Sequence, residues 1–213
     1  MSRGLFITFE GIDGCGKSTQ IAALSSLLEE RGIPYLCLRE PGGTVVGEKI
    51  RDILLDKKND GMTPVCELLL FEAARAQIVS EVIAPAIEEG KVVICDRFYD
   101  STFAYQGYAR GFGQEMVEGL NRTAVSGTDP DITFLLDITP QQAYERRQGR
   151  DGAEDRMEAL GLKFQNDVRE GYLLLADKYS RIKKVDGSKT PDEIREEITS
   201  IVINELRERG FDA

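Results

Sequence analysis

The stretch "GIDGCGKS", residues 11–18, decides the fold. It carries the spacing G-x-x-x-x-G-K-[ST] through Gly11, Gly16, Lys17 and Ser18. Upstream, "GLFITFEG" (4–11) is a short apolar run ending on a glycine, the pattern of a buried strand. Downstream, "KSTQIAALSSLLEERG" (17–32) sets Ile21, Leu24, Leu27 and Leu28 near helical spacing and stops at Gly32. Between a strand and a helix, Gly11, Gly14 and Gly16 let the backbone turn its N–H groups inward around an anion. The expected phosphate-binding loop is Gly11, Ile12, Asp13, Gly14, Cys15, Gly16, Lys17, Ser18 and Thr19. Within it Lys17 can reach the β- and γ-phosphates of a nucleotide and Ser18 can ligate Mg2+. Asp13 raises a question, because it brings a carboxylate into a loop built for anions.

The rest of the chain alternates strand and helix patterns. "PYLCLRE" (34–40), "KVVICDR" (91–97), "DITFLLDIT" (131–139) and "RIKKVDG" (181–187) read as four further strands. Helices are expected over "GEKIRDILLD" (47–56), over "CELLLFEAARAQIVSEVIAPAIEEG" (66–90) as one long helix or two, from Pro140 behind a Thr139 cap, and over "TPDEIREEITSIVINELRERG" (190–210) with Thr190 as cap. Pro85 should kink or break the second of these. The pattern predicts an α/β, P-loop NTPase-type domain spanning 1–213: a five-stranded parallel sheet flanked by helices, in three layers. Only "RRQGRDGAEDRME" (146–158) breaks the core pattern, and it carries four arginines.

Composition narrows the function. With 213 residues, 41% hydrophobic and 30% charged, the chain reads as a soluble globular protein. A membrane span and a signal peptide are not expected, so a cytoplasmic location is. A net charge of −10 argues against a nucleic acid polymer as partner. The absence of histidine excludes histidine triads. Four cysteines without a CxxC read as isolated thiols.

Three more stretches complete a pattern: "REPGGT" (39–44), "LLLFEAAR" (68–75) and "DRFYDSTFAYQGYARG" (96–111). With the phosphate loop they resemble the bacterial thymidylate kinases, from residue 5 to about 186. The resemblance implies transfer of the γ-phosphate of ATP to dTMP, giving dTDP, with Mg2+ as cofactor and a homodimeric assembly. It implies that Phe71 stacks on thymine and that Arg75 donates to thymine O4, where cytosine would present another donor. Thr102 and Gln106 would face the base edge, with Ser101 nearby, and Tyr105 would crowd the ribose 2′ position. Arg97 and Arg51 would clamp the acceptor phosphate, with Arg39 a weaker candidate. Asp96 would sit near the metal or orient Arg97, and Glu40 would organise the metal or the phosphates. Asp13 would accept from the acceptor's 3′-hydroxyl, which answers the question its charge raises. No arginine lies in the loop, so the catalytic one is expected in the 146–158 lid: Arg150, supported by Arg147 and Arg156, with Gly149 and Gly152 as hinges. The other readings are a dUMP-preferring pyrimidine kinase and a nucleotide-dependent switch without turnover. The switch leaves the arginines and "AYQ" unexplained.

Overall fold

The computed structural model describes residues 3–148, 156–157 and 160–211. Its centre is β1 (Leu5–Glu10), buried along its whole length. Around it β2 (Tyr35–Arg39), β3 (Val92–Asp96), β4 (Ile132–Asp137) and β5 (Ile182–Asp186) form a parallel sheet in the order β2-β3-β1-β4-β5. All five strands fall on the five stretches expected. Strands β1, β3 and β4 lie inside the sheet and are covered on both faces, so their sequences run apolar without alternation. Leu5, Ile7 and Phe9 enter one core, with Leu24 and Leu28 of α1 (Lys17–Glu30) and with Ile198 and Val202 of α9 (Pro191–Glu208). Phe6, Val93 and Cys95 enter the other, with Ile78, Ile83 and Ile87.

The register decides where chemistry can occur. Phe9 lies opposite Asp96 on one side, and Glu10 lies opposite Leu135 on the other. The carboxyl ends of β1 and β3 thus meet beside the phosphate loop, where open α/β sheets place their ligands.

Helices α2 (Val45–Leu55), α3 (Pro64–Ile78) and α4 (Ala84–Glu88) fill the β2–β3 connection. The 66–90 stretch holds two helices, and the α-helical winding is interrupted just before Pro85. A π-helical turn, Val79–Ile83, joins the two helices, and Ala84 N–H reaches back to the Val79 carbonyl. The wider turn absorbs the proline's missing N–H. After β3, α5 (Tyr99–Thr102) continues as a π-helical segment, Phe103–Ala109, and α6 (Gln114–Val125) follows. Helices α7 (Pro140–Arg147) and α9 begin with capping boxes at Thr139 and Thr190, as the sequence suggested. Helix α8 (Gly161–Lys178) packs so closely on the π segment that a Cβ at Gly171 would lie 2.9 Å from Tyr108 Cβ.

A buried polar bridge ties β4 and β5 to α5. Arg181 donates to both carboxylate oxygens of Asp100, at 2.7 and 2.8 Å, and to Thr133 Oγ1, which meets Thr8 Oγ1 at 2.7 Å. The Arg181 guanidinium also lies against the rings of Tyr99 and Tyr179. Asp100→Ala leaves this arginine without its counter-charge. We expect it to cost about 3 kcal/mol in urea unfolding, against less than about 1 kcal/mol for breaking an exposed pair such as Lys189–Glu197. The four cysteines are free thiols. Among the described residues no helix is long and apolar enough to cross a membrane.

Candidate active site at the strand ends

The loop between β1 and α1 has the geometry its glycines suggest. Gly11, Gly14 and Gly16 all have positive φ, at 129, 93 and 107°. At Gly11 and Gly14 space is limiting too: a Cβ would lie 2.6 Å from the Leu136 carbonyl oxygen and 2.7 Å from that of Ala143. Helix α1 starts with no acidic residue in its first turn and no side-chain cap, so its first N–H groups can serve an anion. Ile12 and Cys15 are buried core side chains, so they can offer phosphate only their backbone. Lys17 Nζ donates to the Gly11 carbonyl at 3.1 Å, folding back across the loop, and lies 4.0 Å from Asp96 Oδ1.

One cavity opens from this loop, and it is lined by every residue expected to hold the acceptor: Asp13, Glu40, Arg51, Phe71, Arg75, Arg97, Ser101, Thr102, Tyr105 and Gln106. At its centre is Arg97, just past β3 with φ 70°, an uncommon backbone for a non-glycine residue. Its guanidinium donates to Asp13 Oδ1 at 2.6 Å, to the Tyr172 hydroxyl at 3.1 Å, and to Ser101 Oγ and the Tyr105 hydroxyl at 3.3 Å. Burial alone would raise the Asp13 carboxyl, but Arg97 and Lys17 outweigh it and hold the group down at about 2. Asp13 therefore faces the arginine and not the phosphate cradle. Asp96 does not orient Arg97, as one expectation had it; Asp13 does.

Beneath Arg97 lies a residue that sequence reading missed. Glu10, the buried end of β1, accepts from Phe98 N–H at 2.7 Å, Ser101 Oγ at 2.6 Å and the Tyr172 hydroxyl at 2.8 Å. Burial, with Asp100 nearby, pushes its carboxyl up to about 7 despite Arg97. Ser101 thus belongs to the Arg97 end of the cavity and not to the base end. A carboxylate closing an apolar strand beside a loop was the signal available for Glu10, and Asp96 stands at the end of β3 in the same way.

The far end of the cavity belongs to Arg75, which is 2% exposed. It is no surface salt bridge. It donates to Glu40 Oε2 at 2.9 Å, Glu72 Oε1 at 2.7 Å, Thr102 Oγ1 at 2.8 Å and Asn121 Oδ1 at 3.2 Å. Glu40 is accordingly turned to the base end and away from the phosphates, and its burial lifts the carboxyl to about 7 against the pull of Arg75. Phe71, one helical turn before Arg75, lines the cavity and belongs to neither hydrophobic core. Arg51 turns inward to the Pro41 carbonyl at 2.9 Å, whereas Arg39 is spent on Glu48 at 2.8 Å.

For a divalent cation, the fitting residues are Asp96 and Ser18. Asp96 Oδ1 is a buried oxygen without a hydrogen-bond partner among the described residues, and both residues line the cavity. Among the described residues there is no cluster of three or more protein ligands. One carboxylate plus a hydroxyl is the donor set of a cation held mainly by substrate phosphates and water.

Of the lid arginines, Arg150 lies outside the described residues, as do Gly149 and Gly152. Arg147 runs alongside the loop, its Cγ 3.1 Å from where a Gly14 Cβ would be. Arg146 donates to the Gly187 carbonyl at 2.8 Å. Arg156 is an anchor, donating to the Leu54 carbonyl at 2.8 Å and Glu67 Oε2 at 2.6 Å.

A family model described as thymidylate kinase matches residues 9–198. Curated relatives of that name are similar along nearly the full chain. The protein from Thermoanaerobacter sp. is 50% identical over 201 residues, covering 94% of this chain and 98% of its own. That from Caldanaerobacter subterraneus subsp. tengcongensis is 53% identical over 186 residues, covering 87% and 88%. That from Prosthecochloris aestuarii is 47% identical over 209 residues, covering 94% and 93%.

Proposed function

The chain belongs to the thymidylate kinase family, and from that premise we infer that it transfers the γ-phosphate of ATP to dTMP, giving dTDP. The observation that carries this is the Asp13–Arg97 pair at 2.6 Å, through which the phosphate loop and the second half of the cavity share a wall. Two phosphorylated molecules can meet end to end across such a junction.

The dTMP phosphate oxygen is already a nucleophile at neutral pH, so no general base is required. The protein's task is alignment and charge neutralisation. The loop N–H groups and Lys17 hold the ATP phosphates. Arg97 and Arg51 grip the dTMP phosphate, for which a guanidinium fork is suited. Asp13 accepts from the 3′-hydroxyl, Phe71 stacks on the ring, Tyr105 fills the space a 2′-hydroxyl would need, and Arg75, with Thr102 and Gln106, reads the base edge. Asp96 and Ser18 would hold Mg2+, which when bound supplies further charge neutralisation on the phosphates. Arg150 and Arg147 complete the cation set from the lid. This reading takes 1–213 as one kinase unit in the cytoplasm. It also takes the chain as a homodimer, supported by apolar side chains left exposed on α2, α3 and α6, namely Ile53, Val65, Leu69 and Met116.

The test measures ADP release with ATP, Mg2+ and dTMP, dUMP, TMP, dCMP or thymidine. We expect dTMP to be turned over fastest and thymidine hardly at all, because it brings no phosphate to the arginines. Strong dCMP turnover would sink the role given to Arg75. A uniform absence of ADP would sink the kinase reading.

A further inference from the structure

Glu67 has no place in the roles assigned so far, yet it is fully buried. A buried carboxylate is costly unless its oxygens are well supplied with donors, and this one is. Oε1 accepts from Gln106 Nε2 at 2.8 Å and from Arg110 Nε at 3.4 Å. Oε2 accepts from Arg110 Nη2 at 3.1 Å and from Arg156 Nη1 at 2.6 Å. Helix α3 therefore carries Glu67 at one end of its inner face and Phe71 and Arg75 further along it.

The consequence falls on Gln106. A primary amide has a donor end and an acceptor end that can exchange places by rotation. A carboxylate held by two guanidiniums only accepts, so it takes the nitrogen. Gln106 lines the cavity, and with one Nε2 N–H given to Glu67 the end of the amide turned away from that carboxylate is Oε1. An acceptor at this point complements the N3–H of thymine and opposes the bare N3 of cytosine.

Resting on the dTMP kinase reading, we propose that Glu67 is a positioning residue for base selection. It fixes the Gln106 amide with its carbonyl oxygen toward the base, and Arg110 and Arg156 hold it in place. Because Arg156 lies in the 146–158 segment, the same carboxylate joins that segment to base readout.

The test is the ratio of kcat/KM for dTMP over dCMP in wild type, Glu67→Gln and Glu67→Asp. Glutamine can donate as well as accept, so it no longer dictates which end of Gln106 faces the base. We expect the ratio to fall about tenfold or more, since an unpaired or mispaired buried polar group is what discriminates strongly. The KM for ATP should stay within about twofold. General loosening of the pocket would weaken both acceptors together, and an unchanged ratio with reduced rates would overturn the proposal. Should Glu67→Gln fail to fold, Glu67→Asp keeps the charge for Arg110 and Arg156 but withdraws the acceptor from Gln106. It must show the same fall, or the proposal is wrong. A wild-type protein inactive on dTMP would instead overturn the kinase reading on which this one stands.

Discussion

Arg97→Met will lower kcat/KM for dTMP by about a thousandfold or more, the scale of an arginine that stabilises a transferring phosphoryl group. The size of the effect follows from how Arg97 is held. Its backbone N–H is bound to the Phe9 carbonyl at 2.9 Å, and its φ of 70° is retained at a cost of about 1–3 kcal/mol. That geometry swings the side chain back over the loop, into a ring of Asp13, Ser101, Tyr105 and Tyr172. Methionine would leave Asp13 facing the incoming phosphate with its counter-charge gone. Arg97→Lys should recover little, because a single ammonium cannot hold Asp13 and a phosphate in the same plane. Steady-state rates at varied dTMP and fixed saturating ATP test this. A loss of less than tenfold would move the role elsewhere.

The same variant has a signature in stability. The folded pKa of Asp13 is depressed from the ordinary 3.8 to about 2. The resulting stabilisation is complete above about 4 and is lost as pH falls through about 2. The stability gap between wild type and Arg97→Met in urea unfolding should therefore narrow between pH 4 and pH 2.

Lys17→Met will lower kcat by about 10²–10³, the range seen when one preorganised electrostatic contact to a reacting centre is removed. Lys17 is buried, spans the loop to the Gly11 carbonyl at 3.1 Å and stands 4.0 Å from Asp96. The substitution removes both the cation proposed for the donor phosphates and the brace across the loop. ATP affinity should fall as well, in contrast to Arg97→Met, which leaves the donor side intact. Binding of a fluorescent ATP analogue separates the two. Equal losses of ATP affinity in both variants would contradict the division of labour.

The sheet was legible because buried parallel strands leave uninterrupted apolar runs, and "GLFITFEG" and "KVVICDR" are such runs. The cavity was legible because loop, "REPGGT", "LLLFEAAR" and "DRFYDSTFAYQGYARG" each carry motif residues at fixed spacing. What stayed hidden were partners far apart in the chain. Tyr172 meets Glu10 across 162 positions, and Arg156 meets Glu67 across 89. No local periodicity encodes such a pairing. Pro85 pointed to an interruption of the helix but not to its form. Proline chemistry predicts that a hydrogen bond is lost, but not that a wider turn will absorb the loss.

That wider turn has a counterpart in the π-helical segment Phe103–Ala109, where Tyr105 and Gln106 sit. A π turn is an α-helix with one residue too many. Deleting a single residue between 103 and 109 would return the segment to ordinary helical winding and leave the chain beyond it in line, yet the residues inside the turn would change the direction they face. Tyr105 and Gln106 would leave the cavity while the helix itself became more regular. The extra residue is thus a mutational trap, in which the change that most improves local backbone order most damages the wall of the cavity proposed to hold dTMP.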